Sequence, residues 1–353
     1  MRKLIFPLAI FALIVVACQD NSEEITPNQE VATIDMSDFY VYTDDNLAKS
    51  SADAKNDKCA SMKVLNQQLR DNPGLENSMF AIEKHTREYI AAKGNSSGKG
   101  KPGGGGGGTD PGTDPVNDGL GVINIPVYFH VVYSDATENV SDAQITAQMK
   151  VLNDDFRKAN NDINQVPSEF SGVAADSEIT FTYAGTFRHQ NSKTSWGTNN
   201  TVKTTYPPIT PETHLNIWVC DIGGGILGYA QFPGGSSSTD GVVLLYSSLP
   251  GGSAFPYNEG RTATHEVGHY LNLRHIWGDG RCRQDDFVAD TPSSDGPNYG
   301  CPSYPTVNCQ SNDMTMNYMD YTDDACMYMF SLGQKDRMRA IFATGGSRES
   351  LAQ

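Results

Sequence analysis

The sequence is short of positive charge. It carries 26 Lys and Arg against 42 Asp and Glu, a formal net charge of −16. No stretch gathers the basic residues into a stripe that would neutralise phosphates, which argues against nucleic acid as a partner. Long apolar segments are also missing. The N-terminal run Leu4 to Ala17 is too short for a bilayer crossing, which takes about 20 residues. The four cysteines Cys282, Cys301, Cys309 and Cys326 contain no C-x-x-C knuckle, which disfavours a metal site built from them. The glycine-rich stretch Gly223 to Ala230 is followed by no Lys-Ser or Lys-Thr pair, so it is not a phosphate loop.

What is present divides the 353 residues into a leader, a small N-terminal part and one large domain. Arg2 and Lys3 precede the apolar run, which ends Val15-Val16-Ala17-Cys18 before polar Gln19-Asp20-Asn21-Ser22. Residues 1–17 resemble a bacterial lipoprotein signal with Cys18 as the lipidated residue; ordinary secretion with cleavage nearby is the alternative. The expected location is the bacterial cell envelope, at the outer membrane or cell surface. The lipid would be the chain's only link to the membrane. Residues 18–56 are polar and acidic and read as a tether. Within 57–93, Lys63 to Arg70 and Ser78 to Ala92 read as helices, the second with apolar Met79, Ile82, Tyr89 and Ile90. Residues 94–118, with six consecutive glycines from Gly103 to Gly108, form a linker open to proteolysis. A cut there would release the rest of the chain from its anchor.

Residues 119–353 make the large domain. Val122 to Tyr133 is a buried strand, and His130 within it reads as a core residue. Ser141 and Gln144 make a capping box for a helix to Arg157. Strands follow at Ile179 to Tyr183, Leu215 to Val219 and Val242 to Tyr246, and Gly223 to Ala230 reads as an edge strand. A helix capped by Ser331 and Gln334 runs to Ala343. This is α/β layering, with a mixed sheet backing the helices.

The chemistry concentrates in His265-Glu266-Val267-Gly268-His269-Tyr270-Leu271-Asn272-Leu273-Arg274-His275. His265 and His269, four residues apart on a helix, present both imidazoles on one face. That suits two corners of a tetrahedral zinc site, with nitrogens about 2.0–2.1 Å from the metal. Glu266 is placed to take a proton from a metal-bound water. His275 can be the third ligand only if the chain turns sharply near Asn272, and Asn tolerates a left-handed bend better than any residue but Gly. No Glu occurs between Glu266 and Glu349, almost at the end of the chain, so His275 is a better third ligand than a downstream glutamate.

The motif resembles that of the metzincin metallopeptidases, H-E-x-x-H-x-x-G-x-x-H followed by a Met-turn; Asn317-Tyr318-Met319-Asp320-Tyr321 is the candidate turn. The wording through Leu273-Arg274-His275-Ile276-Trp277-Gly278-Asp279 is similar to the pappalysin family, in its bacterial, cytophagalysin-like branch. That family also places Asn where most metzincins have Gly. The resemblance covers about residues 120–345. It implies a metzincin-type α/β (α+β) zincin: a mixed twisted sheet, an active-site helix, then a loop-rich, disulfide-bonded C-terminal subdomain.

The activity implied is zinc-dependent endopeptidase, with a protein or peptide substrate laid along the edge strand and a monomeric enzyme. Met319 becomes an apolar floor under the metal, and Tyr321 a donor to the oxyanion. Spacing alone leaves three pairings of the four late cysteines open; the resemblance implies Cys282–Cys309 and Cys301–Cys326. Similar enzymes hold a latency cysteine in the pro-segment, typically before Gly. Here the candidate is Cys59 before Ala60, with a spare thiol or a partner for Cys220 as the alternatives. Asp285, Asp286, Asp290, Thr291 and Asp295 offer hard oxygens compatible with structural calcium, as in similar proteases, or with a solvated acidic loop. Two other functions fit less of the sequence. A zinc hydrolase of non-peptide substrates would need no strand groove. A catalytically degenerate surface-binding lipoprotein would not need an intact Glu266 and three histidines.

Overall fold

The computed structural model describes residues 34–43, 58–96 and 118–353. Cys18, the leader and most of the linker lie outside the described residues. Residues 36–353 fall in one compact unit.

Helices α1 (Ser61–Asp71) and α2 (Leu75–Ser96) precede a five-stranded sheet. The sheet is built from β1 (Ile123–Tyr133), β2 (Ile179–Gln190), β3 (Leu215–Cys220), β4 (Gly228–Ala230) and β5 (Val242–Leu245), in the order β2-β1-β3-β5-β4. The first four strands in that order run parallel, with Val127 opposite Leu215 and Ile217 opposite Val242. Only β4 is antiparallel, with Tyr229 opposite Val243, and it forms the sheet edge. Parallel strands covered on both faces read as nearly continuous apolar runs, as β3 does apart from Asn216: every residue of it is buried. His130 is the expected core residue, with Nε2 2.9 Å from Asn216 Oδ1 and its ring stacked on Trp218.

Helix α3 (Asp142–Phe156) starts at the expected capping box: Gln144 N donates to Ser141 Oγ at 3.3 Å, and Ser141 N to Gln144 Oε1 at 3.1 Å. Short helices α4 (Ser168–Ser171) and α5 (Thr201–Thr205) follow, then α6 (Arg261–Tyr270) and α7 (Leu332–Ala340). Ile125, Val127 and Phe129 of β1 share one apolar core with Leu152 and Phe156 of α3, Val267 of α6 and Met338 of α7. Between α6 and α7 the chain is loop-rich, with one small hairpin of β6 (Val307–Asn308) and β7 (Ser311–Asn312). Disulfides Cys282–Cys309 and Cys301–Cys326 tie this region together.

Several boundaries differ from the sequence reading. Of the edge strand expected over Gly223 to Ala230 only Gly228–Ala230 forms, because Gly223, Gly224 and Gly225 turn at positive φ. Helices α1 and α2 each begin before and end after the expected Lys63 to Arg70 and Ser78 to Ala92. Strand β2 runs on to Gln190 rather than ending at Tyr183, because its second half lies on an exposed edge and carries no apolar periodicity. Helix α7 stops at Ala340; Arg348 N then donates to the Ile341 carbonyl, closing a loop through Gly345 at φ +81°. The tether reading fails for residues 36–43, which pack against the fold. Val41 is buried with Met62, Leu65, Leu69, Met79 and Phe232, and Phe39 packs onto that group. Cys59 and Cys220 are both buried and unpaired, so the reading of Cys59 as a partner for Cys220 is also corrected.

Candidate metal centre

All ten residues of α6 are buried, which no ordinary amphipathic helix shows. Its close packing depends on two glycines. A Cβ on Gly268 would lie 2.4 Å from Met319 Sδ, and one on Gly228 of β4 would lie 2.7 Å from Glu266 Cγ. The helix ends as the sequence requires: Asn272 adopts φ +76°, and Leu273 N donates to the Gly268 carbonyl at 3.0 Å. The chain turns back there and carries His275 to the other two histidines.

The three Nε2 atoms of His265, His269 and His275 lie 3.1–3.2 Å apart. Each Nδ1 faces an acceptor: the Tyr318 carbonyl at 2.7 Å for His265, the Leu273 carbonyl at 2.8 Å for His269, and the Asp279 carboxylate for His275. A proton on each Nδ1 leaves three Nε2 lone pairs pointing at one another, an arrangement only a cation relieves. Nitrogens on a tetrahedral ion at about 2.0–2.1 Å would stand about 3.3–3.4 Å apart, so the donor set fits such an ion almost without adjustment. Burial pushes the His265 imidazole down to about 3 and His269 well below its usual value, which keeps both neutral. Met319 is fully buried beneath the cluster, and its carbonyl accepts from Ile276 N at 3.3 Å.

Glu266 stands beside the triad. Its Oε2 accepts from Ser61 Oγ at 2.7 Å, and burial pushes its carboxyl up to about 7 against the lowering effect of hydrogen bonds from Ser61 and Cys59. The Cys59 sulfur joins the three histidines in a single buried group of ligand atoms within 4.8 Å of one another. Residues 58–61 lie along β4 as a parallel neighbour, with Leu227 N donating to the Lys58 carbonyl at 2.7 Å and Ala60 N to the Gly228 carbonyl at 3.0 Å. The Tyr321 hydroxyl lies 3.4 Å from the Cys59 carbonyl, and its ring packs on His265 and His275.

The acidic loop splits. Asp286 is buried, and Thr291 Oγ1 stands 2.8 and 2.9 Å from its two oxygens and 2.8 Å from the Val288 carbonyl. Asp290 points elsewhere, accepting from Ser331 Oγ at 2.6 Å and Gly333 N at 2.9 Å at the start of α7. Two site residues escaped sequence reasoning. Asp279 orients His275, and its signal was a carboxylate four residues beyond that ligand. Ser61 links Glu266 to Ala230 N at 2.7 Å, a contact between residues far apart in sequence with no local signature.

Fold and constellation together are those of a metzincin: a mixed sheet with an antiparallel edge strand, a buried helix bearing two histidines, a left-handed turn to a third, and a methionine below. The family model described as Pregnancy-associated plasma protein-A matches residues 210–343, the span holding all of these site groups but Cys59 and Ser61. An extracellular metalloprotease of Arthroderma gypseum is 34% identical over 231 residues, covering 62% of this chain and 72% of the relative. Extracellular metalloprotease 1 of Coccidioides posadasii is 34% identical over 233 residues, covering 62% and 77%. Among solved structures, mature mirolysin of Tannerella forsythia in complex with a cleaved peptide is 44% identical with TM-score 0.64, covering 65% of this chain and 95% of that one. A promirolysin mutant of the same organism is 36% identical with TM-score 0.69, covering 83% and 96%. The chain belongs to the pappalysin family and is a metalloendopeptidase.

Proposed function

We propose that the protein is a zinc endopeptidase made as a latent precursor, exported, and anchored through Cys18. The observation that carries this reading is the set of three inward-facing Nε2 atoms with Glu266 beside them and a peptide segment already seated on the edge of β4. Residues 119–353 form the catalytic domain in this reading, 57–93 the pro-segment, and 94–118 the stretch cut on activation. The promirolysin match spans 83% of this chain against 65% for the mature form, which supports an N-terminal pro-segment. The relatives named extracellular support export.

His265, His269 and His275 would hold the zinc, which when bound lowers the pKa of a coordinated water to about 7 and polarises the scissile carbonyl. Glu266 takes the water's proton and delivers it to the leaving amine nitrogen. Tyr321 donates its hydroxyl to the carbonyl oxygen as charge develops there; its approach to the Cys59 carbonyl supports that role. Asp279 and the Tyr318 and Leu273 carbonyls hold the imidazoles in one tautomer. The backbone pairing of residues 58–61 with β4 favours an extended peptide over a small non-peptide substrate. In the latent chain Cys59 occupies the position the water needs.

The test is a mixed peptide library offered to the full chain after it has been cut within residues 97–117 and freed of its N-terminal part. Cuts that disappear on zinc removal and return with one zinc per chain are expected. A correctly disulfide-bonded, zinc-loaded protein that cuts no peptide would overturn the proposal.

Calcium is proposed for the Asp286 site alone. Val288 N donates to Asp286 Oδ1 at 3.1 Å, but one hydroxyl hydrogen on Thr291 cannot serve both Asp286 Oδ2 and the Val288 carbonyl. A hard cation among these oxygens would satisfy them together. Binding at 100 times Kd stabilises by about 2.7 kcal/mol, which raises Tm by about 5–10 °C for a domain of this size. Thermal unfolding of the zinc-loaded protein with and without calcium checks this, and Asp286→Asn should remove the gain. An unchanged Tm in the wild type would sink the idea.

A further inference from the structure

Beyond the zinc site, helix α2 and Phe39 close a cavity beside Phe232, just past the C-terminal end of β4. It is lined by Met79, Glu83, Phe232, Asn272, Arg274 and Arg337, among others. Two of these are buried arginines. Glu83 of α2 binds Arg337 through both oxygens, from Nη2 at 2.8 Å and Nη1 at 3.2 Å, and also accepts from Arg87 Nε at 2.8 Å. Arg274 Nη2 donates to the Tyr40 carbonyl at 2.6 Å. Each guanidinium still keeps one buried nitrogen, Nη1 of Arg274 and Nε of Arg337, with no hydrogen-bond partner among the described residues.

The partners come almost entirely from the N-terminal part of the chain. Glu83, Tyr40 and Val41 all precede residue 97, and from the catalytic part the bonds include only the Phe287 carbonyl, 3.3 Å from Arg337 Nη1. Asp279 and Asp286 lie near the two arginines, but neither hydrogen-bonds to them. Asp279 Oδ1 is engaged with His275 and its buried Oδ2 has no partner among the described residues, while Asp286 is engaged with Thr291 and Val288 N. When the N-terminal part leaves, it takes Phe39, Met79, Ile82 and Glu83 from the lining, and two cations under-supplied with acceptors are left beside Phe232, Pro233 and Asn272. Such a site calls for an anion, and a planar carboxylate matches the guanidinium fork.

Strand direction decides which part of a substrate reaches it. An extended peptide antiparallel to β4 places its C-terminal half beside Leu227 and Gly228 and its N-terminal half beside Ala230 and Phe232. The ring of Phe232 lies 5.3 Å from that of His269, so the cavity adjoins the metal centre on the upstream side. We infer that Arg274 and Arg337 form a subsite for an acidic side chain upstream of the scissile bond, which Glu83 fills in the full chain. This rests on the peptidase reading and on departure of residues 58–96 from the cleft.

The test uses the full chain cut within residues 97–117 and freed of its N-terminal part. A peptide from the library is varied with Glu or Gln at each of the second to fifth positions before the cut. At one of these positions Glu should raise kcat/KM about tenfold over Gln, the effect of a hydrogen bond to a charged group. Arg337→Met, which keeps the apolar stem, should bring that ratio to about 1. The wild-type peptide pairs stand on their own if the variant fails to fold. Cleavage with equal rates for Glu and Gln at every position would overturn the subsite and leave the peptidase reading intact. No cleavage of any peptide would remove the peptidase reading and the subsite with it.

Discussion

Glu266→Gln is expected to slow peptide cleavage by about 10²–10⁴-fold while leaving one zinc bound per chain. The substitution preserves size, and the Gln amide can still meet Ser61 Oγ, so α6 and the histidine triad should keep their places. What is lost is the ability to accept a proton, and proton transfer by a positioned side chain contributes about 10²–10⁴-fold. A fall of that size in kcat/KM, with zinc content measured on the same sample, is the expected result. Loss of zinc together with activity would reassign Glu266 to holding the site. An unchanged rate would remove it from the mechanism. The carboxylate is tightly confined: any side chain at Gly228 would start 2.7 Å from Glu266 Cγ. The geometry around the base is thus set from the edge strand β4 as well as from the helix.

The most legible part of the chain was the part that obeys local rules. A four-residue spacing on a helix puts two imidazoles on one face, and an Asn able to adopt positive φ is the one residue near position 272 that can return His275 to them. Both followed from residue type and spacing. The capping boxes at Ser141 and Ser331 did too, because each is closed within four residues. The cysteine pairing was not legible in this way. Spacing left three pairings open, and only likeness to a family chose between them.

Other features depend on partners distant in sequence. The strap at residues 36–43 reads as polar tether because its contacts are made mostly by backbone and by single aromatic rings. The Tyr40 hydroxyl lies between the carbonyls of Gly278 at 3.1 Å and Asp285 at 2.6 Å, and Arg274 lies over the Tyr40 ring. Ser61 looks like any helix-starting serine until α6 is folded beside it. Buried ion pairs such as Glu83–Arg337 join helices 254 positions apart in sequence and leave no period in either one. The acidic loop shows the opposite error: composition grouped Asp286 with Asp290, and folding sent the second to cap α7.

Cys59→Ala is expected to make the uncut chain active. A thiolate is a strong zinc ligand, and the Cys59 sulfur is the only group outside the triad, among the described residues, that joins its ligand cluster. Removing it opens the coordination position but leaves the rest of the seal in place. Residues 58–61 remain paired with β4, Ser61 still donates to Glu266, and α2 still holds Arg337 through Glu83. The variant should therefore turn over a short peptide at least about tenfold faster than the uncut wild type, the effect of losing about 1.4 kcal/mol of ligation, and slower than the cut enzyme. Mass spectrometry must show the N-terminal part still attached during the assay. A cobalt-substituted pair built on Glu266→Gln, which cannot process itself, separates ligation from packing. With Cys59 present the uncut chain should show thiolate-to-cobalt charge-transfer absorption, and the chain that also carries Cys59→Ala should show none. Equal latency in the two uncut chains, with no thiolate band in either, would mean that the strand and helices alone block the cleft and that Cys59 is a buried thiol without a switching role.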